Sequence, residues 1–300
     1  MSYATYAEDI RTMRVHGAGR IARHAARGLA AWEASFRGGD EASFARGFKE
    51  ALRALGETRP TAVSLHNGLA FIELRVAAVQ GLDAKRAALR QAAAEFEERS
   101  KAAVAELGRV GARALPSEGT FLTICNSHAA IGVFQEMRRQ GGNPRVFALE
   151  TRPWRQGHKT ARELAESGVD VTLIVDNAAM SFIRRVDAVV TGCDTIAANG
   201  DVVNKVGTSG LALMAKEFRK PFYVAGETYK VDLTSPTGEA RAIEEREHKE
   251  IADPAEFPGV RFANPVFDVT PASWLTGGLF TEAGLTKPQD VAALAKKLWS

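Results

Sequence analysis

The 300-residue sequence predicts an α/β protein: an N-terminal helical domain, residues 1–115, followed by a doubly wound, Rossmann-like parallel-sheet domain, residues 116–300. Two observations carry this prediction. Up to about Gly108 the apolar residues recur at helical spacing. From Thr120 onward, short β-rich runs alternate with helical segments, the pattern of strand–helix–strand units.

In the first half, Ile21, Ala25, Leu29 and Trp32, and later Leu89, Ala93 and Phe96, mark the apolar stripes, with Ala, Arg and Glu between them. Gly17-Ala18-Gly19 precedes a helix beginning near Arg20, and Arg37-Gly38-Gly39-Asp40 separates two helices. Pro60, within Thr58-Arg59-Pro60-Thr61, fits at or near a helix start. Leu115-Pro116-Ser117-Glu118-Gly119 reads as a hinge. Beyond it, strands are predicted at residues 120–124, 145–149, 169–175, 188–191 and 221–225, with helices at 129–140, 160–167, 178–184 and 207–218. Right-handed crossovers make such a series a doubly wound sheet, whose ligands bind beyond the carboxyl ends of the strands. The tail from Ala263 to Thr281 carries Phe267, Val269, Trp274 and Leu279 among turn residues, suited to core or subunit packing, before a last helix near residues 289–299.

Composition excludes several classes of function. The net charge of +3 is mild, and its excess lies in residues 1–115, with 18 Lys and Arg against 13 Asp and Glu. A nucleic-acid binder carries a denser basic stripe, so this reads as a solvated helical surface. Glu8 and Asp9 stand where a secretory signal needs a basic start, and no apolar run reaches membrane-spanning length. The expectation is a cytoplasmic protein without membrane or nucleic-acid partners. Cys125 and Cys193 alone cannot build a disulfide framework or a Cys/His metal site, so both thiols are expected reduced and no metal is expected. No Gly-x-Gly-x-x-Gly follows the first strand, which argues against a dinucleotide.

Two segments carry the chemistry. Thr123-Ile124-Cys125-Asn126-Ser127-His128 closes the first predicted strand, and the following helix N-terminus would favour thiolate over thiol. Position alone leaves a small buried core residue as an equal alternative for Cys125. Capping groups and backbone N–H donors at Asn126, Ser127 and His128 suit an anion such as phosphate. Asp194, after Val189-Val190-Thr191-Gly192, either caps the next turn or serves as a general acid, while Cys193 beside it is read as structural. Asn204 and Lys205 open onto Val206-Gly207-Thr208-Ser209-Gly210, a phosphate cradle without P-loop spacing. Arg152, Gln156 and Lys230 follow predicted strands on the same sheet edge, and their convergence points to a small, polar, anionic ligand.

At these residues the chain resembles the superfamily that joins archaeal ribose-1,5-bisphosphate isomerases, methylthioribose-1-phosphate isomerases and the regulatory subunits of translation initiation factor 2B. The resemblance runs from Met13-Arg14-Val15-His16-Gly17-Ala18-Gly19 to Asn264-Pro265-Val266-Phe267-Asp268-Val269-Thr270-Pro271. It is strongest toward the ribose-bisphosphate branch through Glu57-Thr58-Arg59-Pro60-Thr61, the Gly-Ala-Gly turn and Gly226-Glu227-Thr228-Tyr229-Lys230. The resemblance implies a catalytic Cys/Asp pair at Cys125 and Asp194, and substrate contacts at Gly17, Ala18, Gly19, Arg59, Ser127, His128, Ala129, Asn204, Lys205 and Lys230. Arg152 and Gln156 are expected in the same pocket. The chain departs from the pattern at His16, where these isomerases have Arg, and at His128, near a Lys of the ribose-bisphosphate branch. A neutral imidazole donates one hydrogen bond but brings no fixed charge.

The implied reaction is α-D-ribose 1,5-bisphosphate to D-ribulose 1,5-bisphosphate, with Asp194 as acid and Cys125 as base, no cofactor, and a homo-oligomer, a dimer or trimer of dimers. The alternatives are an isomerase of a 5-modified ribose 1-phosphate, such as methylthioribose or deoxyribose 1-phosphate, and a non-catalytic sugar-phosphate or nucleotide sensor.

Overall fold

Alanine-rich stretches with few glycines favour helix, and the first third of the chain is helical throughout. The computed structural model describes residues 2–15 and 17–299 and places here α1 (Tyr3–Arg11), α2 (Ala18–Ser35), α3 (Glu41–Gly56), α4 (Val63–Ala77) and α5 (Leu82–Ala114). The ends are set locally: Asp40 accepts the Ser43 N–H at 2.7 Å to cap α3, and Pro60 lies just ahead of α4. Ile21, Ala25, Leu29 and Trp32 are buried as their spacing requires, with the Trp32 ring 5.2 Å from that of Phe44.

The chain forms two compact units, Met1–Ala102 with Lys296–Ser300, and Ala103–Ala295. The division falls within α5, whereas the predicted boundary at residue 115 follows the end of that helix.

In the second unit the strands and helices alternate: β1 (Thr120–Thr123), α6 (His128–Arg139), β2 (Arg145–Leu149), α7 (Gln156–Glu166), β3 (Asp170–Ile174), α8 (Ala179–Phe182) and β4 (Ala188–Gly192). Two short strands, β5 (Thr195–Ala197) and β6 (Val202–Lys205), precede α9 (Thr208–Glu217), β7 (Phe222–Ala225) and β8 (Val231–Asp232). The chain closes with β9 (Phe267–Thr270), β10 (Gly278–Thr281), β11 (Gly284–Thr286) and α10 (Val291–Trp299).

Seven strands form the main sheet in the order β11-β10-β7-β4-β1-β2-β3, parallel except where β11 pairs with β10. Alternate side chains enter opposite cores. Phe121, Val190 and Phe280 pack with α6 and α7 residues such as Val133, Phe134 and Leu164. Leu122, Val189 and Leu279 pack on the other face with Ala179, Leu211 and Val291. Helices on both faces make the sheet doubly wound, in agreement with the predicted fold class.

A second sheet, ordered β8-β5-β6-β9, departs from the sequence reading, which placed no strand between residues 192 and 220 and took the tail as turn-rich packing. Residues 198–201 form a turn that joins two antiparallel strands. No helix among the described residues is long and apolar enough to cross a membrane.

Candidate active site

From β1 the chain moves outward to β2 and β3 and then returns to β4 on the other side of β1, so the winding reverses between β1 and β4. Crevices at such reversals, beyond the carboxyl ends of the strands, are where open α/β sheets bind ligands. Cys125 follows β1 and Asp194 follows β4, so the reversal brings them to adjacent strand ends. After Asp194 the chain turns into the β5–β6 hairpin. The Asp194 N–H donates to the Val203 carbonyl at 3.0 Å, and β6 carries Asn204 and Lys205 back to the same edge.

Close approach at this edge requires Gly192. A Cβ there would lie 2.1 Å from Ser127 Oγ and 2.4 Å from Ser127 Cβ, inside any permitted contact. Ser127 caps α6, accepting the Ala130 N–H at 3.4 Å, and His128 and the buried Ala129 begin that helix.

Cys125 has φ 68°, a left-handed conformation that costs a side-chain-bearing residue roughly 1–2 kcal/mol. Its N–H donates to Thr151 Oγ1 at 2.9 Å and its carbonyl accepts from Thr160 Oγ1 at 2.7 Å. Burial pushes the thiol up to about 11, with the Lys205 ammonium pulling it down and the Asp194 carboxylate pushing it further up. The helix N-terminus predicts a depressed thiol; here burial outweighs the pull of Lys205 and of the Asn126 N–H, and the thiol is raised instead. Lys205 and Asp194 thus both bear on the Cys125 thiol, with opposite signs.

Asn204 and Lys205 are buried, with Asn204 Nδ2 donating to Thr208 Oγ1 at 3.0 Å and Lys205 Nζ 5.3 Å from the centre of the Phe267 ring. The predicted cradle after them is partly filled. Asp268 accepts from the Gly207 N–H at 2.7 Å, from Ser209 Oγ at 2.8 Å and from the Ser209 N–H, so these donors already hold a carboxylate. Burial raises the Asp268 carboxyl despite those bonds.

Lys230 is engaged within the fold. Its ammonium is buried, 2.6 Å from Glu227 Oε2, and donates to the Cys193 carbonyl at 3.0 Å. Burial pushes Glu227 up, but the Lys230 charge and hydrogen bond hold its carboxyl below the ordinary value. Burial lowers and the Glu227 charge raises the Lys230 ammonium, and the raise prevails. Lys230 thus supports the backbone beside Asp194. Cys193 is buried and its thiol is pushed up to about 12 by desolvation, as suits the structural role read for it.

Arg152 reaches away, its guanidinium donating to the Ile251 carbonyl at 3.0 Å. Gln156 opens α7, and its Oε1 is buried with no hydrogen-bond partner among the described residues. In the first unit, Gly17 precedes α2 with φ 91°, Ala18 and Gly19 form its first turn, and the Ala18 carbonyl accepts from Ser64 Oγ at 2.9 Å. Arg59 contacts the Met13 sulfur, which joins the segment before α4 to the one before α2. His16 lies outside the described residues. Sequence reasoning missed Gly192, Thr151, Thr160 and Asp176, for which one sequence carries no local signal. Among the described residues no group of three or more His, Cys, Asp or Glu is placed to hold a metal ion.

A thiol and a carboxyl at adjacent strand ends, with an ammonium acting on the thiol, can exchange a proton between them and with a bound carbon acid. Relatives that this chain matches are named isomerases. The chain is 41% identical to the ribose 1,5-bisphosphate isomerase of Methanocaldococcus jannaschii over 293 residues, which is 97% of this chain and 93% of that protein. It is 40% identical to the methylthioribose-1-phosphate isomerase of Geobacter metallireducens, over 97% of this chain and 89% of that one. The crystal structure of 5-methylthioribose 1-phosphate isomerase from Pyrococcus horikoshii superposes with a TM-score of 0.84 at 33% identity, covering 99% of this chain and 88% of that chain. Residues 14–288 match the model of the initiation factor 2 subunit family, and the chain belongs to that family.

Proposed function

We propose that this chain is an aldose–ketose isomerase that converts α-D-ribose 1,5-bisphosphate to D-ribulose 1,5-bisphosphate, with Asp194 and Cys125 exchanging the protons. The observation that supports the reading is that Cys125 and Asp194 follow the adjacent strands β1 and β4, where the sheet winding reverses. The name and 41% identity of the Methanocaldococcus jannaschii relative support the substrate.

At rest the half-buried pair holds one proton, on the thiol. Moving it to the Asp194 carboxylate leaves the net charge of the pair unchanged, so burial opposes this step far less than it opposes ionising Cys125 alone. The Asp194 carboxyl then gives its proton to the ring oxygen as the C1–O bond breaks. The Cys125 thiolate takes the C2 hydrogen, and the C2–H electron pair becomes the C1=C2 bond. The enol hydroxyl at C2 returns a proton to Asp194, and the thiol delivers its proton to C1. The ketose is formed and both side chains are restored. Lys205 stabilises the thiolate while it exists, and Ser127, His128, Ala129, Asn204 and the open carbonyl of Gln156 are proposed to hold the sugar phosphate. The protein is further proposed to work in the cytoplasm as a homo-oligomer.

Phosphorus NMR of the protein with α-D-ribose 1,5-bisphosphate tests this. The anomeric phosphate signal should give way to ribulose bisphosphate signals with the native protein, and not with Cys125→Ser or Asp194→Asn. A native protein that leaves this substrate unchanged but converts methylthioribose 1-phosphate would support the second reading, an isomerase of a 5-modified ribose 1-phosphate. That reading is favoured by His128, which brings no fixed charge to the pocket, and by the Geobacter metallireducens relative.

A further inference from the structure

The turn at Cys125 is held from both sides by two buried threonines. The Thr151 hydroxyl gives its single proton to the Leu149 carbonyl at 3.0 Å, which leaves its oxygen to accept the Cys125 N–H at 2.9 Å. The Thr160 hydroxyl does the reverse: it donates to the Cys125 carbonyl at 2.7 Å and accepts from Asn126 Nδ2 at 3.1 Å. One hydroxyl therefore grips the peptide plane before the Cys125 Cα and the other grips the plane after it. With both planes pinned, φ, ψ and the direction of the Cα–Cβ bond are set.

Thr151 is itself at φ 63° and needs an anchor. Asp176, just beyond β3, supplies it: Oδ1 accepts the Thr151 N–H and Oδ2 accepts the Arg152 N–H, each at 2.7 Å. The line of support runs from Asp176 through Thr151 to Cys125, joining the ends of β3, β2 and β1. Left-handed backbone is the habit of glycine, and a cysteine persists there only when its surroundings impose it.

We propose that Thr151, seated by Asp176, and Thr160 are positioning residues that aim the Cys125 thiol at the C2 hydrogen of the substrate. This inference rests on the reading of Cys125 as the base. Both hydroxyls act through the backbone of Cys125 and touch no reacting atom, so their removal should reduce turnover and leave substrate affinity nearly intact.

The test compares native enzyme with Thr151→Val, Thr160→Val, Thr151→Ser, Asp176→Asn and Cys125→Ser, by steady-state kinetics on ribose 1,5-bisphosphate and by iodoacetamide labelling of Cys125 followed by mass spectrometry. The valine variants keep the shape of the side chain and remove its hydroxyl. Each should lower kcat by about 10- to 100-fold with KM within about threefold, the scale of a misplaced reacting group. Labelling of Cys125 should be faster by about threefold or more as its turn loosens. Thr151→Ser, which retains the hydroxyl, should stay within about threefold of native kcat, and Asp176→Asn should fall between the two.

Valine variants with native kcat and native labelling, beside an inactive Cys125→Ser, would overturn the positioning role while leaving Cys125 as the base. Loss of activity in Thr151→Ser equal to that in Thr151→Val would overturn it as well. A Cys125→Ser enzyme that keeps turnover would remove the base and the positioning role together.

Discussion

Cys125 illustrates how a residue type can be legible while its state is not. With two cysteines in the chain, a thiol at a strand end was readable as a reactive candidate, but its desolvation depends on neighbours from β4, β6 and β2 that no local pattern reveals. The thiol is held near 11, above its ordinary value, so the free enzyme should react slowly with iodoacetamide at neutral pH and gain rate as pH approaches 11. The signs of its neighbours are opposite. Lys205→Met removes the charge that lowers the thiol and should move the profile to higher pH, whereas Asp194→Asn removes the charge that raises it and should move the profile down. A Lys205→Met profile superimposable on the native one would deny that the ammonium acts on the thiol. Lys230 shows the same limit: its partner Glu227 stands only three residues away, yet nothing in that spacing says the pair is buried.

Elements were legible where they are long or regularly alternating. The five predicted strands of the parallel sheet and the helices between them are present, because apolar runs bounded by turn residues have few other ways to hide both faces. The two-to-four-residue strands of the second sheet were illegible, since their identity comes from partners distant in the chain, such as Val203 with Val269. The joint between β4 and α6 yields a prediction at this scale. Gly192→Ala drives a methyl into Ser127 and should destabilise the protein by about 1–3 kcal/mol, the cost of overpacking. Ser127→Gly in the same chain removes both clashing atoms and should return most of the lost melting temperature. Thermal melts of the single and double variants decide this, and a double variant no more stable than Gly192→Ala would place the strain elsewhere.

For the whole molecule, the open question is what covers the β3 margin of the main sheet. Strand β3 pairs on one side only, with β2, and Leu173, Val175 and Met180 on and just after it are 41%, 59% and 54% exposed. An edge strand rimmed by apolar side chains invites pairing or burial against another chain. Self-association through the α/β unit should give a light-scattering mass at least twice that of the 32.3 kDa chain at micromolar concentration. Leu173→Glu with Val175→Glu should shift that mass toward the monomer. A native protein already at 32.3 kDa would contradict the expected assembly.

The β5–β6 hairpin works as a spacer of fixed length. Asp194 enters it, Asn204 and Lys205 leave it, and its turn at residues 198–201 lies at the far end of the ladder. That turn is pinned: Asp201 accepts the Gly238 N–H at 3.1 Å and the Ala272 N–H at 2.8 Å, and a Cβ on Gly200 would lie 2.4 Å from the Pro288 carbonyl oxygen. A single residue lost from either strand would reverse which way the following side chains face. The hairpin is therefore held at both ends, and its fixed length sets the spacing of acid and ammonium at its base.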